Sequence, residues 1–131
     1  MLANLPIHAT VAASDLPRAR AWYESHLGLT PKMEADEYLW YELGGSTWLN
    51  VYATSMAGTA QNTQAGWTVS DVEVVMADLR SRGVVFESYD LGNGMVTIDG
   101  LLSMGPYKAC WFKDSEGNTF EISQVDRSAE L

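Results

Sequence analysis

The chain is short of several things, and each shortage closes off a class of function. It holds one cysteine, two histidines and eight basic residues in 131 positions. A lone Cys110 cannot form an intramolecular disulfide, which fits a reducing compartment, and a cytoplasmic location is expected. With only His8 and His26, and no serine on a recognisable nucleophile elbow, no Ser/His/Asp or Cys/His catalytic set is legible. Eight basic against seventeen acidic residues give a net charge of −9. The basic patches that nucleic acid or an anionic membrane surface would need are missing. No apolar run approaches the roughly 20 residues of a membrane span. The opening MLANLPIHAT has neither a basic start nor a continuous apolar run, so no leader peptide is expected. Gly92-Asn93-Gly94 lacks the spacing and the lysine of a phosphate loop and reads as a turn.

What is present is an ordinary globular composition, 47% hydrophobic and 19% charged. At this length one compact unit buries roughly two thirds of its unfolded surface. The acidity favours solubility, and it would draw in a cationic ligand by long-range attraction.

Along the chain, PIHATVAA at 6–13 reads as a strand. Ser14-Asp15-Leu16-Pro17 then opens a helix, with Asp15 as its cap and Pro17 in the first turn, where a missing N–H costs nothing. Leu16, Ala19, Trp22, Tyr23 and Leu27 recur at helical spacing, and Gly28 ends the helix. Strands are expected at 30–35, 37–43 and 46–53. The plan then repeats, offset by about 56 positions in the numbering. QAGWTV at 64–69 is a strand, and Ser70 and Glu73 have capping-box spacing. Val72, Val75, Met76 and Leu79 form an apolar stripe that Gly83 closes. Strands are expected at 84–88, 95–99, 107–113 and 118–125, with turns at Asn93-Gly94 and Glu116-Gly117-Asn118. GLLSMGPY at 100–107 is less regular and reads as a loop, and 126–131 as a frayed tail.

The result is an α+β fold of two paired β-α-β-β-β units, module one at 6–53 and module two at 64–125, joined by a small-and-polar linker at 54–63. The last hairpin, ACWFKDSEGNTFEIS, poses a question. A strand that buries Phe120 and Ile122 must turn Glu121 to its opposite face, which is either solvent or a cleft.

Three stretches resemble one known family. DLPRARAWYESHLGLTP is similar to the "D-helix-FY-x-x-x-LG-L-x-P" signature of the vicinal oxygen chelate superfamily. DVEVVMADLRSRGVVF resembles its second-module helix, and WFKDSEGNTFEI its closing "F-x-D-P-x-G-N-x-x-E" hairpin. The resemblance runs from about residue 6 to 125. Members include glyoxalase I, extradiol dioxygenases, epimerases, fosfomycin-inactivating enzymes and bleomycin-binding resistance proteins. It implies that the two modules curve into a sheet cleft with the helices outside, and that Glu121 faces this cleft.

In metal-dependent members four strand positions hold one divalent cation. Carried over, they fall on His8, Asn50, Gln64 and Glu121. His8 and Glu121 match the usual ligand types; Asn50 and Gln64 offer only neutral carbonyl oxygens, which suit a hard cation better than Zn²⁺. The cofactor expectation is therefore either none or a divalent metal ion, with Mn, Mg, Ni, Fe and Zn undistinguished. With a metal bound, Glu121 or a bound water would handle the proton in a lyase, isomerase or epimerase reaction on a vicinal-oxygen substrate.

Alternation sends other side chains to the same face: Thr10 and Ala12 with His8, Trp48 and Tyr52 with Asn50, Gly66 and Thr68 with Gln64, and Thr119 and Ser123 with Glu121. Trp67 and Val69 go to the helix side. In 107–113, Tyr107, Ala109 and Trp111 share one face, taken as inward, with Phe112 in the core. Trp40, Trp48, Tyr52, Thr68, Tyr107 and Trp111 are thus the candidate ligand-binding residues. Aromatic walls stack on flat rings and hold cations, at about 0.5–2 kcal/mol per cation–π contact. His26 complements the dipole at a helix end, and Cys110 is a buried structural thiol.

The functional expectation is a small-molecule-binding protein of this superfamily, without an intact catalytic metal site, that takes a planar or cationic ligand in an aromatic cleft, as a drug-sequestering resistance protein would. The alternatives are the metal-dependent enzyme and a structural or regulatory protein with no ligand. A homodimer is expected, because relatives of this size pair and several complete the cleft from two chains.

Overall fold

The computed structural model describes residues 1–125; the tail expected to fray at 126–131 lies outside the described residues. The elements are β1 (Ala9–Ala13), α1 (Leu16–Trp22), β2 (Met33–Ala35), β3 (Tyr38–Leu43), β4 (Thr47–Ala53), β5 (Thr63–Thr68), α2 (Val72–Ser81), β6 (Leu102–Met104), β7 (Tyr107–Lys113) and β8 (Thr119–Val125). They build two four-stranded sheets of identical plan, ordered β1-β4-β3-β2 and β5-β8-β7-β6. β1 with β4 and β5 with β8 pair in parallel, and the other neighbours are antiparallel. β1 and β5, the edge strands, lie side by side and form the seam between the sheets. Among the described residues, no helix is long and apolar enough to cross a membrane.

Local chemistry explains the helix ends. The Asp15 carboxylate accepts from the Arg18 N–H at 3.0 Å, Pro17 sits in the first turn, and a widened π-helical turn over Tyr23–Leu27 runs to Gly28 at φ 69°. That left-handed φ is open to glycine at no steric cost. At α2 the expected capping box does not form. Asp71 is the cap and takes the Val74 N–H at 3.2 Å, while Gln124 Oε1 takes the Val72 N–H at 2.8 Å. With those orphan donors satisfied, Glu73 is free to pair with Lys108 at 3.0 Å.

Alternating residues of both sheets fill one core against the helices: Val11, Leu39, Tyr41 and Val51 from the first, and Cys110, Phe112, Phe120 and Ile122 from the second. Tyr23, in the π-helical turn that follows α1, joins them. Its ring stacks on Tyr41 at 5.5 Å and meets Phe120 edge-on at 6.2 Å, while its hydroxyl donates to Asp114 Oδ2 at 2.6 Å. Burial, followed by the Asp114 charge, pushes the Tyr23 hydroxyl well above its ordinary pKa.

The Asp-Ser-Glu-Gly-Asn turn fastens the second half to the first. Glu116 Oε1 accepts from the Ser14 and Asp15 N–H groups, each at 3.0 Å, and Glu116 Oε2 accepts from Arg18 Nε at 2.8 Å. The Asn118 amide donates to Ala12 O at 2.7 Å. Burial alone would raise the Glu116 pKa. The Arg18 contact and the Asp15 N–H outweigh it and hold the carboxyl near 2.

The second sheet departs from the expected strand list. Residues 84–88 and 95–99 are not strands: Phe86 makes an isolated bridge to Phe112, and Val96 and Ile98 bridge singly to Asp90 and Leu101. The stretch read as a loop contains β6 instead. The reason is competition for one edge. The outer side of β7 pairs with β6 at Tyr107–Ala109, and the Glu87 N–H bonds to Trp111 O at 2.8 Å further along. Each segment covers part of the edge, so neither grows long.

Candidate functional site on the uncovered faces of the two sheets

Opposite the core, each sheet presents a second face, read from the pairing register because residues paired across strands point the same way. In the first sheet one row runs Thr10, Asn50, Trp40, Met33 across β1, β4, β3 and β2. Ala12, Tyr52, Tyr38 and Ala35 form the row beside it, and Tyr52 remains 40% exposed. His8, just before β1, meets the Trp40 ring at 4.9 Å and 63°, and Trp48 meets Trp40 at 6.1 Å and 77°. These three rings, with Pro6, Ile7, Met33 and Ser46, surround a hollow of about 310 Å³. Asn50 Oδ1 is buried and has no hydrogen-bond partner among the described residues. A buried acceptor left unpaired costs about 1–3 kcal/mol.

In the second sheet the matching row is Gly66, Glu121, Trp111, and beside it lies Thr68, Ser123, Ala109. The Tyr107 hydroxyl donates to Glu121 Oε1 at 2.8 Å. Burial first, and the Glu121 contact second, push the Tyr107 hydroxyl up to about 12. Tyr89 packs edge-on against Trp111 at 5.5 Å. Gly66 has no side chain for a physical reason: a Cβ built there would stand 2.6 Å from Glu121 O.

Gln64 behaves differently from its neighbours in sequence. The β5–β8 register shifts between Thr63 and Ala65, which makes a bulge at Gln64, and Gln64 Oε1 accepts from the Thr119 N–H at 3.1 Å. Its carbonyl is thereby committed to the backbone. Thr119 itself is buried, at 2% exposure. Of the four carried-over metal positions, Asn50 is an amide with a spare oxygen, Gln64 an amide already bonded, and Glu121 a carboxylate held by Tyr107. Only His8 and Glu121 are strong donors, short of the three protein ligands usual at a catalytic centre. Among the described residues, no group of three or more His, Cys, Asp or Glu side chains is placed to hold a metal ion. The set thus offers two strong donors and one amide oxygen without a protein partner among the described residues.

The structure therefore gathers Trp40, Trp48, His8 and Asn50 on one sheet, and Tyr107, Trp111, Glu121 and Thr68 on the other. His26 lies elsewhere, stacked flat on Trp22 at 4.7 Å. The Cys110 thiol is fully buried, and burial pushes its pKa to about 12, which leaves it unreactive. Sequence reasoning missed Met33 and Tyr89. Met33 follows from the Met33–Trp40 pairing, which needs the register. Tyr89 sits in a stretch without regular strand structure, where alternation carries no information.

Comparison with known proteins follows the same lines. The family model of the Glyoxalase/Bleomycin resistance protein/Dioxygenase superfamily matches residues 6–122. A glyoxalase/bleomycin resistance protein from Catenulispora acidiphila is 22% identical, with a TM-score of 0.66, over 93% of this chain and 99% of that one. An antibiotic-binding protein from a Streptomyces species is 17% identical, with a TM-score of 0.67, over 94% and 98%. A genomically encoded fosfomycin resistance protein from Listeria monocytogenes is 14% identical, with a TM-score of 0.65, over 98% of both chains. At these identities the structures speak to fold. A search of curated proteins finds no match.

Proposed function

This chain belongs to the Glyoxalase/Bleomycin resistance protein/Dioxygenase superfamily, and from that premise we propose that it is a small-molecule-binding protein that takes a planar or cationic ligand on its aromatic face without a resident divalent metal. The observation that carries the reading is the hollow bounded by His8, Trp40 and Trp48, beside the unpaired Asn50 Oδ1. Indole faces attract cations by about 0.5–2 kcal/mol each, and the −9 chain raises the local concentration of cations. An antibiotic-binding protein among the similar structures makes sequestration of a drug-like molecule a reasonable physiological role. The same reading takes the protein to be a cytoplasmic homodimer, which sedimentation at micromolar concentration tests.

The deciding experiment is a tryptophan-quenching titration with cationic aromatic compounds, run beside elemental analysis of protein purified without chelators. Saturable quenching that Trp40→Ala weakens by roughly five- to thirtyfold is the expected result. Near-stoichiometric metal, with thermal stabilisation by Mn²⁺ that Glu121→Gln abolishes, would overturn the reading in favour of a metal-dependent lyase or isomerase.

A further inference from the structure

Two residues of the hollow over Trp40 also face a neighbouring space on the core side of the sheets. Trp48 and Ile7 also line a second hollow, of about 200 Å³, at the seam between the sheets. Its remaining walls are almost entirely apolar: Ala9 of β1, Leu43 and Leu49 of the first sheet, and Ala65, Trp67 and Phe120 of the second, with Thr47 the one polar side chain. Small residues on the two edge strands make the room. Ala9 and Ala65 carry single methyl groups, and Gly66 next to them carries none. A hollow walled by hydrocarbon gains most from apolar mass, because the gain scales with the apolar area removed from water.

The head site has a shape of its own. Trp40 and Trp48 stand at 77° and His8 and Trp40 at 63°, so neither neighbour lies parallel to Trp40 to sandwich a flat ring on it. A corner of steeply inclined rings suits a compact rounded cation. We infer that the ligand is an amphiphile, an alkylammonium whose cationic head sits among His8, Trp40 and Trp48 and whose apolar arm passes Trp48 into the seam hollow. This rests on the reading that the first-sheet face binds the head; what it adds is the arm, its place and its chemistry.

Chain-length dependence tests it. The full chain is titrated with tetramethylammonium and then with butyl-, hexyl- and octyltrimethylammonium below their micelle concentrations, by calorimetry and tryptophan fluorescence. Affinity should rise about fourfold per methylene until the seam is filled. Ala65→Leu occupies that space and should flatten the rise, while tetramethylammonium, too short to reach the seam, keeps its wild-type affinity. Ala9→Val, a smaller filling from the facing strand, serves where Ala65→Leu misfolds, with thermal melts reporting which variants are sound. A flat series in the wild type, or a rise unchanged in both folded variants, overturns the seam assignment and leaves the head site standing. No saturable binding by any member of the series, tetramethylammonium included, overturns the head site itself.

Discussion

The middle row of the first sheet reads Thr10, Asn50, Trp40 and that of the second reads Gly66, Glu121, Trp111. Position for position, Asn50 answers to Glu121 and Trp40 to Trp111. The surroundings then diverge. Glu121 is engaged by the Tyr107 hydroxyl and Trp111 is packed by Tyr89, so the second face has met its own polar and aromatic needs. Asn50 has an unpaired oxygen, and Trp40 borders an open hollow. One strand plan has yielded a face completed from within and a face with capacity left for a ligand. The edges differ in the same sense. β2 lies alone along β3, whereas the edge of β7 is divided between β6 and Phe86–Glu87.

The sharpest way to break the comparison is to uncouple the halves. Glu116→Ala strands the Ser14 and Asp15 N–H groups and the Arg18 guanidinium. It should cost about 3 kcal/mol in urea unfolding, given about 1–3 kcal/mol for each buried group left unpaired. The pH dependence has a definite sign. The folded pKa of Glu116, near 2, lies below its ordinary value of 4.5. Its contribution is therefore complete above the unfolded pKa and lost as pH falls from about 5 towards 2. Glu116→Gln should flatten that acid limb; an unchanged limb would assign acid lability to other carboxylates.

Tyr23→Phe removes a 2.6 Å hydrogen bond in the shared core and should cost about 1–2 kcal/mol, with the loss seen in global unfolding rather than in one half. For the faces, Trp40→Ala should weaken binding of a cationic aromatic probe by about 1–2 kcal/mol, and Trp111→Ala by less than half of that. Equal losses would mean that the two faces form one site. Smallest of all, Tyr107→Phe should change stability by under about 1 kcal/mol and leave probe affinity untouched, because Glu121 keeps its solvent access. A rise in affinity would show that Tyr107 masks Glu121 from the ligand.

Much of this was legible from residue order. Asp15, Pro17 and Gly28 bracket α1 through local backbone chemistry, and the apolar alternation of 107–113 and 118–125 marks β7 and β8. The same alternation places Trp40, Trp48, Asn50, Trp111 and Glu121 away from the core. It failed at Gln64, because a bulge breaks the parity on which the rule depends, and at 84–104, where two segments compete for one strand edge. Neither event leaves a signature in a short window.

The sequence by itself therefore determined the doubled β-α-β-β-β plan, the cap of α1 and the parity of the strands away from the Gln64 bulge, all of which arise from interactions within a few residues. Tertiary structure alone decided that Glu116 would reach Ser14 and Arg18, that Tyr107 would occupy Glu121, and that Asn50 Oδ1 would be left without a donor. Those outcomes depend on which groups packing brings within hydrogen-bonding distance, and partners nearly a hundred positions apart, such as Glu116 and Arg18, are set by the meeting of two sheets rather than by the neighbours of either residue.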